Sequence, residues 1–216
     1  MIILTAGHTG AHTGAQCAET HFDEGAENIW LRNRVAEILT NKYGLVVLMD
    51  DDTASLKLLV KELNQSMVDR PDIPDIPDIL DRVAIPGFFR SDDRQDTARR
   101  VPTSNDFVID LHFNAHSNNQ ARGAEAIVSD DATTLELRFA SRLAHVTADA
   151  LDIPLRSVKS ESETPHRRLA MLHLTPQSII LEVCFCTSPE DVEQYRKHRE
   201  LLAETLALNI AEIISF

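Results

Sequence analysis

The run Phe107-Val108-Ile109-Asp110-Leu111-His112-Phe113-Asn114-Ala115-His116 begins apolar and then carries an aspartate, a histidine, an asparagine and a second histidine off its end. Core strands exclude ionisable side chains that have no partner. The apolar start still reads as a buried strand, over Phe107–Leu111, with its polar residues gathered at the carboxyl end. Four further short runs share this character: Ile2–Thr5, Leu45–Met49, Ala126–Ser129 and Ile179–Phe185. Several are apolar on both faces, as strands covered on both sides are.

Helical patterns lie between these runs. Leu31, Val35 and Ile38 recur at helical spacing after Glu27, and Leu56, Leu59, Val60, Leu63 and Met67 do the same. So do Leu135, Phe139, Leu143 and Val146, and finally Leu202, Leu206, Ile210 and Ile213. Strands alternating with helices predict an α/β fold: a central twisted, mostly parallel sheet flanked by helices. The 216 residues suit one domain. Arg70 to Ile79 reads RPDIPDIPDI, a proline repeat that blocks both helix and sheet ladder. Residues 70–100 are therefore expected to form an insertion loop, of the kind that is a lid, a partner contact or disordered, with Phe88 and Phe89 favouring the first two.

The formal net charge is −13, with acidic residues spread along the chain. That argues against nucleic acid as a partner, because phosphate binding needs a basic patch. Three cysteines do not read as a disulfide framework, and Cys184 and Cys186 are expected to pack as core residues. Met1 to Gly7 has no basic region and too short an apolar stretch for a signal peptide. No run reaches membrane-spanning length. The expectation is synthesis in the cytoplasm, with action elsewhere depending on release or export.

Functional groups in open parallel sheets gather at the carboxyl ends of strands. The first strand runs into Ala6-Gly7-His8-Thr9-Gly10, the central one into His112, and the last carries Glu182 inside the apolar ILEVCF. Glu27 heads the buried stripe of the first helix, whose positive end tolerates an anion. Two histidines and one carboxylate, His8, His112 and Glu27, would fill three positions of a tetrahedral zinc and leave the fourth for water. Such a water has a pKa near ~7 and would be the nucleophile. Glu182 would then be general base and later acid to the leaving amine. Asp110 lies two residues before His112 and would hold it from behind, or form a salt bridge.

The stretches TAGHTG, Glu27 opening a helix, DLHFNAH, and IILEVCF followed by Thr-Ser-Pro-Glu-Asp resemble the zinc-dependent N-acetylmuramoyl-L-alanine amidases of the amidase-3 type. The likeness runs from Ile2 to the last helix. It implies hydrolysis of the amide between N-acetylmuramic acid and L-alanine in peptidoglycan, on a fold like that of the zinc carboxypeptidases. It implies zinc held by His8, Glu27 and His112, with Glu182 catalytic. The family usually has glycine where Thr9 stands. A chain of this family without a visible signal also resembles phage lytic enzymes, which are released at lysis. Asn114 is expected to contact substrate. Arg167 and Arg168 either offer guanidinium forks for the carboxylates of a stem peptide or form a surface pair screened by Glu161 and Glu163.

Rival assignments remain open at this level. Glu24, three residues before Glu27, could be the carboxylate ligand, and Arg34 could pair with Glu27 instead. His12, His21 or His173 could replace a histidine ligand. His112 and His116 have the spacing of a helical HExxH site, but Phe113 stands where that motif needs glutamate. A zinc peptidase or other amidohydrolase would use the same four residues. A non-catalytic wall-binding component would keep the fold without needing Glu182. Oligomeric state is not legible.

Overall fold

A computed structural model of the chain describes residues 2–8, 16–17, 19–50, 88–90, 106–175 and 177–214. Its strands are β1 (Ile2–Ala6), β2 (Gln16–Cys17), β3 (Phe22–Asp23), β4 (Val47–Asp50), β5 (Phe88–Arg90), β6 (Phe107–Asn114), β7 (Ala124–Val128), β8 (Leu155–Ser160) and β9 (Ser178–Phe185). Its helices are α1 (Glu24–Tyr43), α2 (Thr134–Leu151) and α3 (Pro189–Ile214). Seven strands form one sheet in the order β5-β4-β1-β6-β9-β7-β8. β4, β1, β6 and β9 run parallel; β5 is antiparallel to β4, and β7 is antiparallel to β9. The mostly parallel α/β sheet expected from the sequence is therefore present, and the two-stranded β2–β3 hairpin stands apart from it. The expected helix at Leu56–Met67 and most of the proline-rich 70–100 stretch lie outside the described residues.

Local signals set the helix ends. Asp23 caps α1, its carboxylate accepting from the Ala26 N–H at 3.1 Å. Gly44 ends the helix with φ of 66°, its N–H closing back on the last turn. Thr133 and Glu136 make a reciprocal capping box at the start of α2. Ser188 accepts from the Asp191 N–H ahead of α3, which begins on Pro189.

Strand alternation sorts the sheet's side chains into two sets. Ile2, Leu4, Ile109, Leu111, Phe113, Ala126, Leu181 and Val183 join all three helices in one apolar core. The alternate positions include Thr5 and Asp50 near the carboxyl ends of β1 and β4, and Asp110, His112, Glu125 and Glu182 within β6, β7 and β9. On that second face, Leu172 and Leu169 pack on Ile127 and Ile180, so the segment after β8 covers the sheet there.

The cysteine expectation needs correction. Cys17 of the hairpin and Cys186, just past β9, form a disulfide across 169 residues of sequence. Cys184 is a buried free thiol. Cys184 and Cys186 are both buried in the core, as expected; the bond was missed because β9 ends at Phe185 and Cys186 there meets the hairpin. Thr20 reinforces the join by donating to the Cys186 carbonyl at 2.7 Å.

Candidate active site

Three side chains from separate elements meet where β1 and β6 end. His8 Nε2 lies 3.9 Å from Glu24 Oε1, and His112 Nδ1 lies 3.4 Å from the same oxygen. One ligand atom from each of His8, Glu24 and His112 falls within 4.8 Å of the others, a grouping able to hold a metal ion. The two imidazoles stand edge to face with centroids 5.0 Å apart. Glu24 is 2 % exposed at the first turn of α1, where the helix dipole favours its charge. Its carboxylate also accepts from the Phe113 N–H at 3.2 Å.

Glu27 does not join this group. Its carboxylate accepts from the Tyr195 hydroxyl at 3.1 Å and from Arg199 at 3.0 Å, both on α3. Arg34, the partner considered for it, pairs with Glu37 and Glu200 instead. The helical stripe correctly turned Glu27 inward, but inward there means the α1–α3 seam. Glu24 reaches the strand ends because the hairpin and the Asp23 cap start the helix directly over β6.

Behind His112, Asp110 Oδ2 lies 2.9 Å from Nε2, and Thr5 donates to the other Asp110 oxygen at 2.7 Å. This leaves Nδ1 as the ring atom facing Glu24 and His8. Burial opposes a charge on His112, but Asp110, Glu24 and Glu182 prevail and hold its pKa well above the usual value. Carboxylates converging on one imidazole make the spot favourable for a cation.

Glu182 is the direct neighbour of His112 across the β6–β9 ladder and of Glu125 across β7–β9. Burial raises its carboxyl to about 7, while His112 pulls the other way. Its Oε2 is buried with no hydrogen-bond partner among the described residues. Glu125 is held by Arg156 Nε at 2.6 Å and Lys159 Nζ at 2.8 Å. Asn114 donates to it at 2.8 Å, so Asn114 stands at the site's edge, fixed by a neighbour. The Glu125 cluster escaped the sequence reading because β8, an exposed edge strand reading LRSVKS, carries no apolar run.

Arg167 and Arg168 are exposed, between the one-turn helices Glu161–Glu163 and Ala170–His173. They belong to the segment that covers the second sheet face, and Arg167 has a φ of 57°. His173 pairs with Glu161 at 2.9 Å and His116 is exposed, so neither joins the group. His21 is also exposed; Thr9 and His12 lie outside the described residues. Among the described residues no helix is long and apolar enough to cross a membrane.

Comparison with known proteins agrees with this architecture. Residues 2–214 match the family profile described as Amidase_3, N-acetylmuramoyl-L-alanine amidase. Among solved structures, the N-acetylmuramoyl-L-alanine amidase from Clostridium difficile 630 has a TM-score of 0.68 at 19 % identity, covering 99 % of this chain and 96 % of its own. The CwlD amidase from Clostridioides difficile, solved with the GerS lipoprotein, gives 0.64 at 16 % identity, covering 99 % and 98 %. The catalytic domain of the CD27L endolysin, which targets Clostridia difficile, gives 0.59 at 21 %, covering 99 % and 96 %. At these identities the structural likeness speaks for the fold. No curated protein sequence matches.

Proposed function

Since this chain belongs to the Amidase_3 family of N-acetylmuramoyl-L-alanine amidases, we propose that it is a zinc-dependent peptidoglycan hydrolase that cleaves the amide between N-acetylmuramic acid and the L-alanine of the stem peptide. The observation that carries this reading is the meeting of His8, Glu24 and His112 beside Glu182, whose Oε2 has no hydrogen-bond partner among the described residues. Two imidazoles and a carboxylate are a fitting donor set for zinc with one position open. Tetrahedral bonds of about 2.0–2.2 Å put ligand atoms roughly 3.4 Å apart, close to the His112–Glu24 spacing of 3.4 Å and a little under the 3.9 Å from His8 to Glu24.

Zinc, when bound, would polarise the scissile carbonyl and ease deprotonation of water. The chain's own residues supply the rest. Glu182 takes the proton from water and returns it to the amine nitrogen as the amide breaks. Burial raises the Glu182 carboxyl in the metal-free chain, which favours its proton-carrying form. Asp110 holds the His112 ring in one orientation, with Thr5 holding Asp110. Asn114, Arg167 and Arg168 are proposed to contact the glycan and stem peptide, the two arginines pairing with its carboxylates. Action on the cell wall, after release or export, is part of the same reading; a disulfide fits an oxidising setting there.

The test is zinc content of purified protein together with release of stem peptides from purified cell walls. One zinc per chain and new L-alanine amino termini are expected. Glu182→Gln should keep the zinc and lose turnover by about 100-fold or more. Zinc-free protein with undiminished release would overturn the proposal.

A further inference from the structure

Asn28 is an unfavourable residue for its place. It lies in the first turns of α1 with no exposure to solvent, although asparagine is a poor helix former and a buried amide needs partners. Its Oδ1 is buried with no hydrogen-bond partner among the described residues. The other end of the amide is engaged: Nδ2 donates to the Gly7 carbonyl at 2.9 Å. That bond joins α1 to the loop leaving β1.

Gly7 is confined on every side the structure describes. Its N–H donates to the Leu111 carbonyl at 2.8 Å. A Cβ on Gly7 would stand 2.2 Å from His112 Cε1, so the backbone lies flat against the imidazole. Its carbonyl fixes the plane of the Gly7–His8 peptide. The next residue, His8, sits at φ of 61°, a region that side chains with a Cβ disfavour. A half-exposed histidine held in that conformation needs its preceding peptide anchored.

We propose that Asn28 is a positioning residue for the metal centre, fixing the Gly7 carbonyl and thereby the reach of His8 toward Glu24. It rests on the reading of His8, Glu24 and His112 as metal ligands. Glu24 and Asn28 are four residues apart and share one helix face. A single helix therefore presents one ligand and sets the loop that presents another. The Gly7 backbone, pressed on His112, links the third. Partners that orient ligands in this way change metal affinity by about 10- to 100-fold when removed.

The experiment measures zinc affinity by competition with a chromogenic chelator for wild type, Asn28→Ala, Asn28→Asp, Glu24→Ala and Asn209→Ala. Asn209 is a buried amide on α3 that receives Arg142 at 2.7 Å, far from the site, and controls for general destabilisation. Affinity should fall about 10- to 100-fold in both Asn28 variants and stay at wild type in Asn209→Ala. Asp is the same shape as Asn but cannot donate to the Gly7 carbonyl, so it should not rescue. The cobalt-substituted Asn28 variants should also show altered visible absorption bands. Unchanged affinity and bands in folded Asn28 variants, with zinc lost in Glu24→Ala, would overturn this proposal alone. Zinc retained in Glu24→Ala would overturn the metal-site reading beneath it. If the Asn28 variants do not fold, the wild-type side-chain amide decides: its NMR signal should shift on zinc addition, and an unmoved signal counts against the role.

Discussion

Glu24 Oε1 lies 3.4 Å from His112 Nδ1, whereas Glu27, on the same first turn of α1, reaches across to Tyr195 and Arg199. Two carboxylates three residues apart thus face different tasks. Glu24→Ala should lower zinc affinity by more than about 100-fold, beyond what an outer partner supplies. Glu27→Ala should leave zinc affinity within about twofold and cost roughly 1–3 kcal/mol of stability, because the buried Tyr195 hydroxyl loses its acceptor. Calorimetric zinc titration and denaturant midpoints separate the two. Zinc loss in Glu27→Ala alone would reverse the assignment.

The space at Gly7 leads to a second expectation. Gly7→Ala places a methyl 2.2 Å from His112 Cε1, and the ring must leave its position between Asp110 and Glu24. Overpacking of this kind costs about 1–3 kcal/mol, which the fold should survive. The variant should be folded by circular dichroism and bind zinc weakly or not at all. Full zinc occupancy in a folded Gly7→Ala protein would show that the ring does not need this place.

Glu182 also makes stability depend on pH in metal-free protein. Its carboxyl is raised from 4.5 to about 7, chiefly by burial. Between those values the folded state holds a proton that the unfolded chain releases. Its contribution is therefore fully present below about pH 4.5 and is lost as pH rises through 7. Asp50, raised to about 6 by burial against the pull of Arg32, acts in the same direction in every variant and cancels in a comparison. Between pH 5 and pH 8, chelator-treated wild type should lose more stability than Glu182→Gln, by roughly 3 kcal/mol or less. Equal losses in the two proteins would show that Glu182 titrates normally.

The strand framework was legible because burial writes itself into composition. Phe107–Leu111 and Ile179–Phe185 are apolar runs, and both are central strands. His8, His112 and Glu182 stood out as candidates because a polar residue within or at the end of such a run is conspicuous. Glu24 was not preferred, because helical periodicity reports which side faces apolar neighbours, and Glu24 projects from the helix end. The short β2–β3 hairpin that places that end has no periodic signal. β8 failed for a related reason: its residues are half exposed, so nothing marks them as strand. Arg32, wholly buried and bonded to Asp50 at 2.6 Å, drew no attention in the sequence, where nothing marks a single arginine as a core residue.

The Cys17–Cys186 bond predicts a fourth outcome. Removing it with Cys17→Ser should lower stability by about 2–5 kcal/mol, chiefly by freeing the unfolded chain. Denaturant midpoints with and without reductant measure this, and reductant should not affect the variant. A wild-type midpoint indifferent to reductant would mean that the bond does not form.

The same bond closes the polypeptide from Cys17 to Cys186 into a ring. A protease that severs the backbone once, anywhere within that ring, opens it without releasing a fragment. His8 and Glu24 would stay covalently joined to Glu182 through sulfur even when the peptide path between them is broken. For an enzyme proposed to work among the contents of lysed or living walls, damage by a single cut need not mean separation.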